Sequence, residues 1–146
     1  MKIHQNHSIS KELWQAYEET EFKVLSNNSF TLKIGYYSNE LNSLINETKC
    51  LSAAFITAYN PYSKQLSESE NSERQDGLRQ ELAKQGLKCY EGVGQHPSGQ
   101  WPGEPSLLIL GLSKEAALAL ARNLEQNAFV WSDSSAVPQL ISALPN

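Results

Sequence analysis

The sequence has little of what marks metal, redox or cofactor proteins. Its two cysteines, Cys50 and Cys89, lie far apart, with no Cys-x-x-Cys pair and no pair of histidines nearby. Zinc sites and thiol redox motifs need such spacings, so we expect no metal site and two reduced structural thiols. The chain also lacks a glycine-rich phosphate loop, a nucleophile elbow and a His-Glu-x-x-His motif. We therefore predict no cofactor.

Long apolar runs and clusters of basic residues are absent as well. No stretch approaches the roughly 18 consecutive apolar residues of a membrane span, and the polar N-terminal segment lacks the apolar run of a signal peptide. We expect a cytoplasmic protein without a membrane partner. Twelve basic and sixteen acidic residues give a net charge of −4, and the basic residues are scattered. Nucleic acid is not an expected partner, because binding its backbone requires a basic surface.

What the chain does have is enough residues for one domain, which we expect to span 1–146. Residues 1–50 are interpreted as an N-terminal extension that contains a helix, a hairpin and a second helix. Ser8 or Ser10 is a candidate cap for the first of these helices. Residues 134–146 are predicted to form a helical turn, because their apolar residues recur at helical spacing. These apolar residues are Val137, Leu140, Ile141 and Leu144.

Residues 51–133 are predicted to form the core of an α+β fold. The run LSAAFITAY is apolar on both alternations, which is typical of a strand covered on both faces. Ser67 with Glu70 forms a capping box for a helix that ends near Gly86, and Ser113 caps a second helix. The resulting order βαββαβ is the ferredoxin-like pattern, and right-handed crossovers favour the strand order 4-1-3-2. In that sheet Cys50 and Cys89 are beyond disulfide reach.

This topology brings polar residues together at one end of the predicted sheet. The end of the first strand, the start of the first helix, the connection between strands two and three and the start of strand four all lie there. We therefore predict a ligand-binding site at this end. Its predicted residues are Asn60, Ser63, Asn71, Arg74, Trp101, Glu104, Gln126 and Asn127.

Arg74 and Glu104 are the natural charged pair of this site, and two interpretations stay open. The first is a structural ion pair that closes the long loop, which is the commoner role of such pairs. In the second, Arg74 and the amides of residues 60–63 bind an anion at the positive end of the helix.

Other residues of this end also allow two interpretations each. His96 and Glu104 are weak candidates for an acid and base couple, although a single loop histidine is more often solvated. Trp101 could stack on a ring or simply anchor its loop. Asn127 could cap the helix in a left-handed conformation. His4 and His7 lie near the terminus, so a three-histidine metal site is not expected.

Four separated motifs carry a resemblance to a known family. AYNPYS, EN followed by Arg74, WPGEPS and QNAFVW resemble a bacterial family catalogued as a domain of unknown function. The resemblance covers residues 51–131, and it implies no catalytic residue because the family has no assigned activity. What it does imply is that eight residues belong to the family's pattern, namely Asn60, Pro61, Asn71, Arg74, Trp101, Glu104, Gln126 and Asn127.

Two functions follow from these observations. The first is a site for a small anionic ligand, such as a phosphate or carboxylate. The alternative is a protein-interaction or regulatory module, including a homodimer, in which the polar cluster is structural and a sheet edge meets the partner. Catalysis is the less favoured interpretation, because no activated nucleophile and no metal constellation can be named. Single-stranded nucleic acid ranks third, since the run LLILGL lacks aromatic residues.

Overall fold

The computed structural model describes residues 9–144, and its centre is a seven-stranded antiparallel sheet. His4, His7 and Ser8 lie outside the described residues. The elements in chain order are α1 (Lys11–Glu19), β1 (Glu21–Val24), β2 (Phe30–Leu32), α2 (Asn39–Thr48), β3 (Ser52–Ile56), α3 (Glu68–Lys84), β4 (Cys89–Gln95), β5 (Glu104–Leu110), α4 (Lys114–Asn123), β6 (Ala128–Asp133) and β7 (Gln139–Ser142). The strand order is β2-β1-β4-β5-β3-β6-β7.

Each of the four α-helices within residues 9–144 is capped at its start by a serine. In every case the side-chain oxygen of this serine accepts a hydrogen bond from a backbone amide three residues further on, which stabilises the first turn. At α3 the Glu70 side chain also accepts a hydrogen bond from the backbone amide of Ser67, so the predicted capping box is confirmed. The four capping residues are Ser10, Ser38, Ser67 and Ser113.

The predicted ferredoxin-like fold, with a four-stranded sheet in the order 4-1-3-2, is wrong. Strand β1 pairs with β4, and β7 pairs with β6, so the sheet continues beyond the strands of the predicted core on both sides. The physical reason is that a four-stranded sheet would leave unpaired backbone groups along both edges, and these short strands satisfy them. The sheet therefore runs across the boundary predicted at residue 50.

The predicted helical turn at residues 134–146 is also wrong, because Gln139–Ser142 forms strand β7. Its backbone pairs with β6, with Ile141 opposite Phe129. A proline disfavours the helical conformation of the residue before it, so Pro138 acts against a helix at Val137. The free edge of β6 decides the outcome, because it offers hydrogen bonds that an isolated turn of helix cannot match.

The sheet is covered on both faces. Residues 52–56 of β3 are all buried, which confirms the prediction made from its double apolar alternation. On one face Ile56 packs with α3 and α4, and on the other Phe55 packs with α2. Helix α1 contains no fully buried residue.

The two edge strands come close to each other beyond their ends. Gly35 N donates to Pro138 O at 2.8 Å, and Ser38 N donates to Ala136 O at 2.9 Å. Since these segments follow β2 and precede β7, which are the opposite edges, the sheet must curve strongly. Its concave face is the one that packs against α2.

Cys50 and Cys89 are free thiols, as predicted from their separation across the sheet. None of the helices within residues 9–144 combines the length and the apolar composition needed to cross a membrane.

Candidate functional site

A cavity of about 610 Å³ lies on the concave face of the sheet, with α1 as one wall. This volume is within the range of about 300–1,000 Å³ that is usual for small-molecule sites. Its apolar lining includes Leu13, Ala16, Phe22, Phe55, Val130 and Leu140. Its polar lining includes Tyr17, Thr57, Asn60, Ser63, Glu104 and Ser106.

A glycine in β4 creates part of this space. Gly94 is paired with Phe22 of β1 on one side and with Glu104 of β5 on the other. Residues directly opposite each other in a sheet point to the same face. Because Gly94 has no side chain, a gap is left between the Phe22 ring and the Glu104 carboxylate.

Side chains hold the backbone of the segment that follows β3. Ala58 N donates to Gln75 Oε1 at 2.9 Å, and Arg74 Nε donates to Ala58 O at 2.7 Å. Gln126 Nε2 donates to Tyr59 O at 3.0 Å. These backbone groups have left the sheet ladder, and an unpaired buried group would be costly. The three side chains therefore fix the path of the chain at the edge of the cavity.

Asn60 continues this network and connects it to the cavity. It exchanges two hydrogen bonds with Asn71, one from Asn60 N to Asn71 Oδ1 and one from Asn71 Nδ2 to Asn60 Oδ1, each 2.8 Å long. Asn60 Oδ1 also accepts from Leu66 N at 3.0 Å. Because that oxygen accepts two bonds, the amide nitrogen is directed at Glu104, and Nδ2 donates to Oε2 at 2.9 Å.

Glu104, the first residue of β5, is half-buried at the cavity. Burial raises the pKa of its carboxyl, and the hydrogen bond from Asn60 opposes this rise. Its second oxygen, Oε1, has no hydrogen-bond partner within residues 9–144. The cavity thus contains a strong acceptor that is held in place and still open.

Tyr17 of α1 places a neutral hydroxyl close to this carboxylate. Burial and then the charge of Glu104 raise the pKa of Tyr17 to about 12, while the side chains of Asn127 and Ser63 oppose the rise. Asn127 Nδ2 donates to Ser63 Oγ at 2.9 Å. Sequence reasoning missed Tyr17, because Leu13, Trp14 and Tyr17 recur at helical spacing, which indicates only packing.

His96 stands at the rim of the cavity, but its ring nitrogens are engaged elsewhere than with Glu104. Nε2 is 2.9 Å from Glu19 Oε1, and Nδ1 is 2.8 Å from Ser98 Oγ. The hydrogen bond with His96 is the main cause that lowers the pKa of Glu19. Trp101, 52% exposed, meets the His96 ring edge to face with centroids 4.7 Å apart. The predicted acid and base couple of His96 and Glu104 is therefore not formed.

Arg74 does not pair with Glu104, so this part of the sequence interpretation is wrong. Besides Ala58 O, its guanidinium donates to Leu124 O at 2.6 Å and lies 3.6 Å from Glu125 Oε1. Arg74 follows Asn71 by one turn of α3, and both side chains point at the segment after β3. The sequence placed them on one face correctly but chose the wrong partner for the arginine.

The other predicted site residues divide into two groups. Asn127 is not left-handed as predicted, because Glu125, with φ of 59°, is the residue that ends α4 in that conformation. Arg74 and Asn127 do not line the cavity. The predicted residues that do line it are Asn60, Ser63, Asn71, Trp101, Glu104 and Gln126, together with His96.

Gln75 is a second residue that sequence reasoning missed. It is 1% exposed, and a signal existed in the spacing of the buried residues of α3, which are Asn71, Gln75, Leu78 and Leu82. Two polar residues in an otherwise apolar stripe indicate buried hydrogen bonds. No group of three His, Cys, Asp or Glu side chains in the described part of the chain is arranged to hold a metal ion.

Glu104→Gln is expected to stabilise the unliganded protein at about pH 7.5 but not near pH 4. Burial raises the pKa of Glu104 in the folded state, so stability falls as the pH rises from the unfolded pKa through the folded one. Below the ordinary glutamate pKa both states are protonated, and this destabilisation disappears. Glutamine cannot ionise and keeps an acceptor for Asn60. Urea denaturation at both pH values, with the exposed Glu73→Gln as control, measures the difference.

A gain of equal size at both pH values would contradict this explanation, because only the ionised carboxylate is destabilised by burial. An equal gain in Glu73→Gln would do the same, since that change removes an exposed carboxylate that makes no described contact with the cavity.

Together, the fold and this geometry define an α+β protein whose curved antiparallel sheet encloses a ligand-sized cavity. The chain belongs to DUF3293, a family described as proteins of unknown function, whose model matches residues 56–129. The matched range contains Asn60, Asn71, Arg74 and Glu104, whereas Tyr17 and β7 lie outside it. Searches of curated proteins and of solved structures found no match.

Proposed function

We propose that the protein binds a small molecule in the cavity between α1 and the sheet. The observation that carries this proposal is Glu104, whose carboxylate is oriented by Asn60 while one oxygen stays open toward about 610 Å³ of space. A few placed polar groups among apolar walls are typical of small-molecule sites. Phe22, Phe55 and Leu13 would contact the apolar body of the ligand, and Glu104 would orient its polar group.

An anionic ligand, the choice made from the sequence, has less support. It depended on Arg74 and on the amides of residues 60–63. The guanidinium donates to two backbone carbonyl oxygens. The backbone amide of Asn60 donates to the Asn71 side chain, that of Tyr62 to Glu125 O, and that of Ser63 to Asn60 O. These donors are therefore occupied by the protein itself.

The alternative, a module that pairs through its sheet edges, also has less support. The edge strands are short, with three residues in β2 and four in β7. Hydrogen bonds between the segment after β2 and the segment before β7 join the two edges within one molecule.

Binding is favoured over catalysis, because no general base contacts the described hydroxyls of Ser63 and Ser106. The Ser63 hydroxyl contacts Asn127, and the Ser106 hydroxyl donates to a backbone carbonyl.

The test uses Nile red, a neutral dye whose fluorescence rises in an apolar environment, and 2-phenylethanol as a competitor. We expect saturable binding of one dye per chain and its displacement by the alcohol. Ala16→Phe places a ring in the cavity from α1 and should abolish binding. Circular dichroism and thermal unfolding establish that this variant is folded.

The matched control is Ala119→Phe, which makes the same change on the exposed side of α4. It should bind the dye as the unmodified protein does. The proposal fails if the unmodified protein binds no dye saturably, or if the folded Ala16→Phe variant binds it unchanged.

A further inference from the structure

We infer that the ligand of this cavity is a protonated primary or secondary amine attached to an apolar, preferably aromatic, body. This inference rests on the proposed binding function and specifies the charge of the ligand. It follows from the charges around the cavity, from the open oxygen of Glu104 and from the aromatic rings of the walls.

The charges that line the cavity have one sign. Glu68 and Glu104 are its carboxylates, and neither lysine nor arginine is among the described lining residues. The Glu68 carboxylate accepts a hydrogen bond from Tyr59 OH at 3.0 Å, so it is directed toward the same segment after β3. A ligand cation at Glu104 would meet an opposite charge, whereas a ligand anion there would meet a like charge.

The open oxygen of Glu104, Oε1, can accept a hydrogen bond from a ligand. Asn60 satisfies Oε2, and its amide is locked by Asn71 and Leu66, so it cannot turn to serve Oε1. A half-buried carboxylate with an open oxygen is best stabilised by a cationic N–H donor, because the ion pair adds Coulombic attraction to the hydrogen bond that a neutral donor would also make. An ammonium group supplies both the proton and the positive charge.

Aromatic rings supply the second part of the recognition. Phe22 and Phe55 form an edge-to-face pair with centroids 5.3 Å apart on the floor of the cavity. Tyr17 and Trp101 add further rings at the wall and rim. The faces of such rings attract cations. Because the pKa of Tyr17 is about 12, its hydroxyl stays neutral.

Three probes with the same phenyl body distinguish the possible charges at about pH 7.5. Phenethylamine is a cation, 2-phenylethanol is neutral and phenylacetate is an anion. Their dissociation constants are measured by competition with Nile red. We expect phenethylamine to bind about tenfold or more tightly than the alcohol, because its positive charge adds Coulombic attraction to the hydrogen bond, and phenylacetate to bind most weakly.

Two variants separate the role of Glu104 from the net charge of the chain. Glu104→Gln should bring the affinity for the amine down to that for the alcohol, and Glu73→Gln, which removes one exposed charge on α3, should keep the preference. Equal or tighter binding of the alcohol or the acid would overturn the inference while the proposed function stands. A preference for the amine that survives in Glu104→Gln would also overturn it. Failure of all three probes and of the dye would overturn the proposed function itself.

Discussion

Replacing Arg74 with alanine is expected to lower the free energy of unfolding by about 2–4 kcal/mol, although this arginine touches no ligand. Its guanidinium donates to Ala58 O and Leu124 O, and so joins the segment after β3 to the end of α4. Alanine would leave Ala58 O without its donor next to a buried segment. Urea denaturation of both proteins measures the change, and the m-value shows whether unfolding remains two-state.

Arg79 is the matched control for this prediction, because it lies five residues further along the same helix. It bonds with Glu91 and Asp76 at the surface, where ion pairs contribute about 0–1 kcal/mol. Arg79→Ala should therefore have a much smaller effect. If the two alanine variants lost the same stability, the proposed role of Arg74 in holding the loop would be incorrect.

Gly92→Ala is the second change with a large expected effect, a loss of about 2–3 kcal/mol. A Cβ atom at Gly92 would lie 2.7 Å from the backbone oxygen of Lys23 and 2.7 Å from Cε2 of Phe55. The oxygen belongs to β1, which is paired to β4, and cannot move without disturbing the ladder. The ring would therefore have to shift, and because Phe55 lines the cavity, dye binding should weaken together with stability.

Gly94→Ala tests the same change two residues along the strand. Its Cβ would find its nearest neighbour at 3.7 Å, an ordinary van der Waals contact, so we expect a change within about 0.5 kcal/mol. Thermal and urea unfolding of both variants provide the comparison. A neutral Gly92→Ala, or equal losses at the two positions, would show that the close approach of Phe55 does not constrain β4.

Part of the site could be specified from the sequence. The polar residues of the matched family region do gather beside the end of β3, because chain order and strand pairing bring their elements together. The hydrogen-bond partners of these residues could not be predicted from the sequence. Asn71 and Arg74 share a helix face at a spacing of three residues, but the spacing could not say that backbone groups of Ala58 and Asn60 would be their partners.

Tyr17 illustrates the opposite case. Its helix is recognisable from Ser10 and the apolar stripe, yet its place against the sheet depends on β1 pairing with β4. That pairing depends on β1, which has only four residues to specify it. Hydrophobic alternation over so short a strand is not enough to predict its partner, and its position is decided by the sheet edge whose backbone groups need hydrogen-bond partners.

The sequence by itself determined the helix starts at Ser67 and Ser113, the double burial of β3 and the collection of polar residues beside its end. Capping hydrogen bonds and hydrophobic periodicity involve residues that are close in sequence, so a short stretch of sequence is enough to predict such features. Only the tertiary structure decided that the sheet has seven strands, that it curves around a cavity and that Arg74 serves the backbone while Glu104 keeps an open oxygen. These outcomes depend on which distant groups compete for each hydrogen bond, and that competition is settled only when the whole chain has folded.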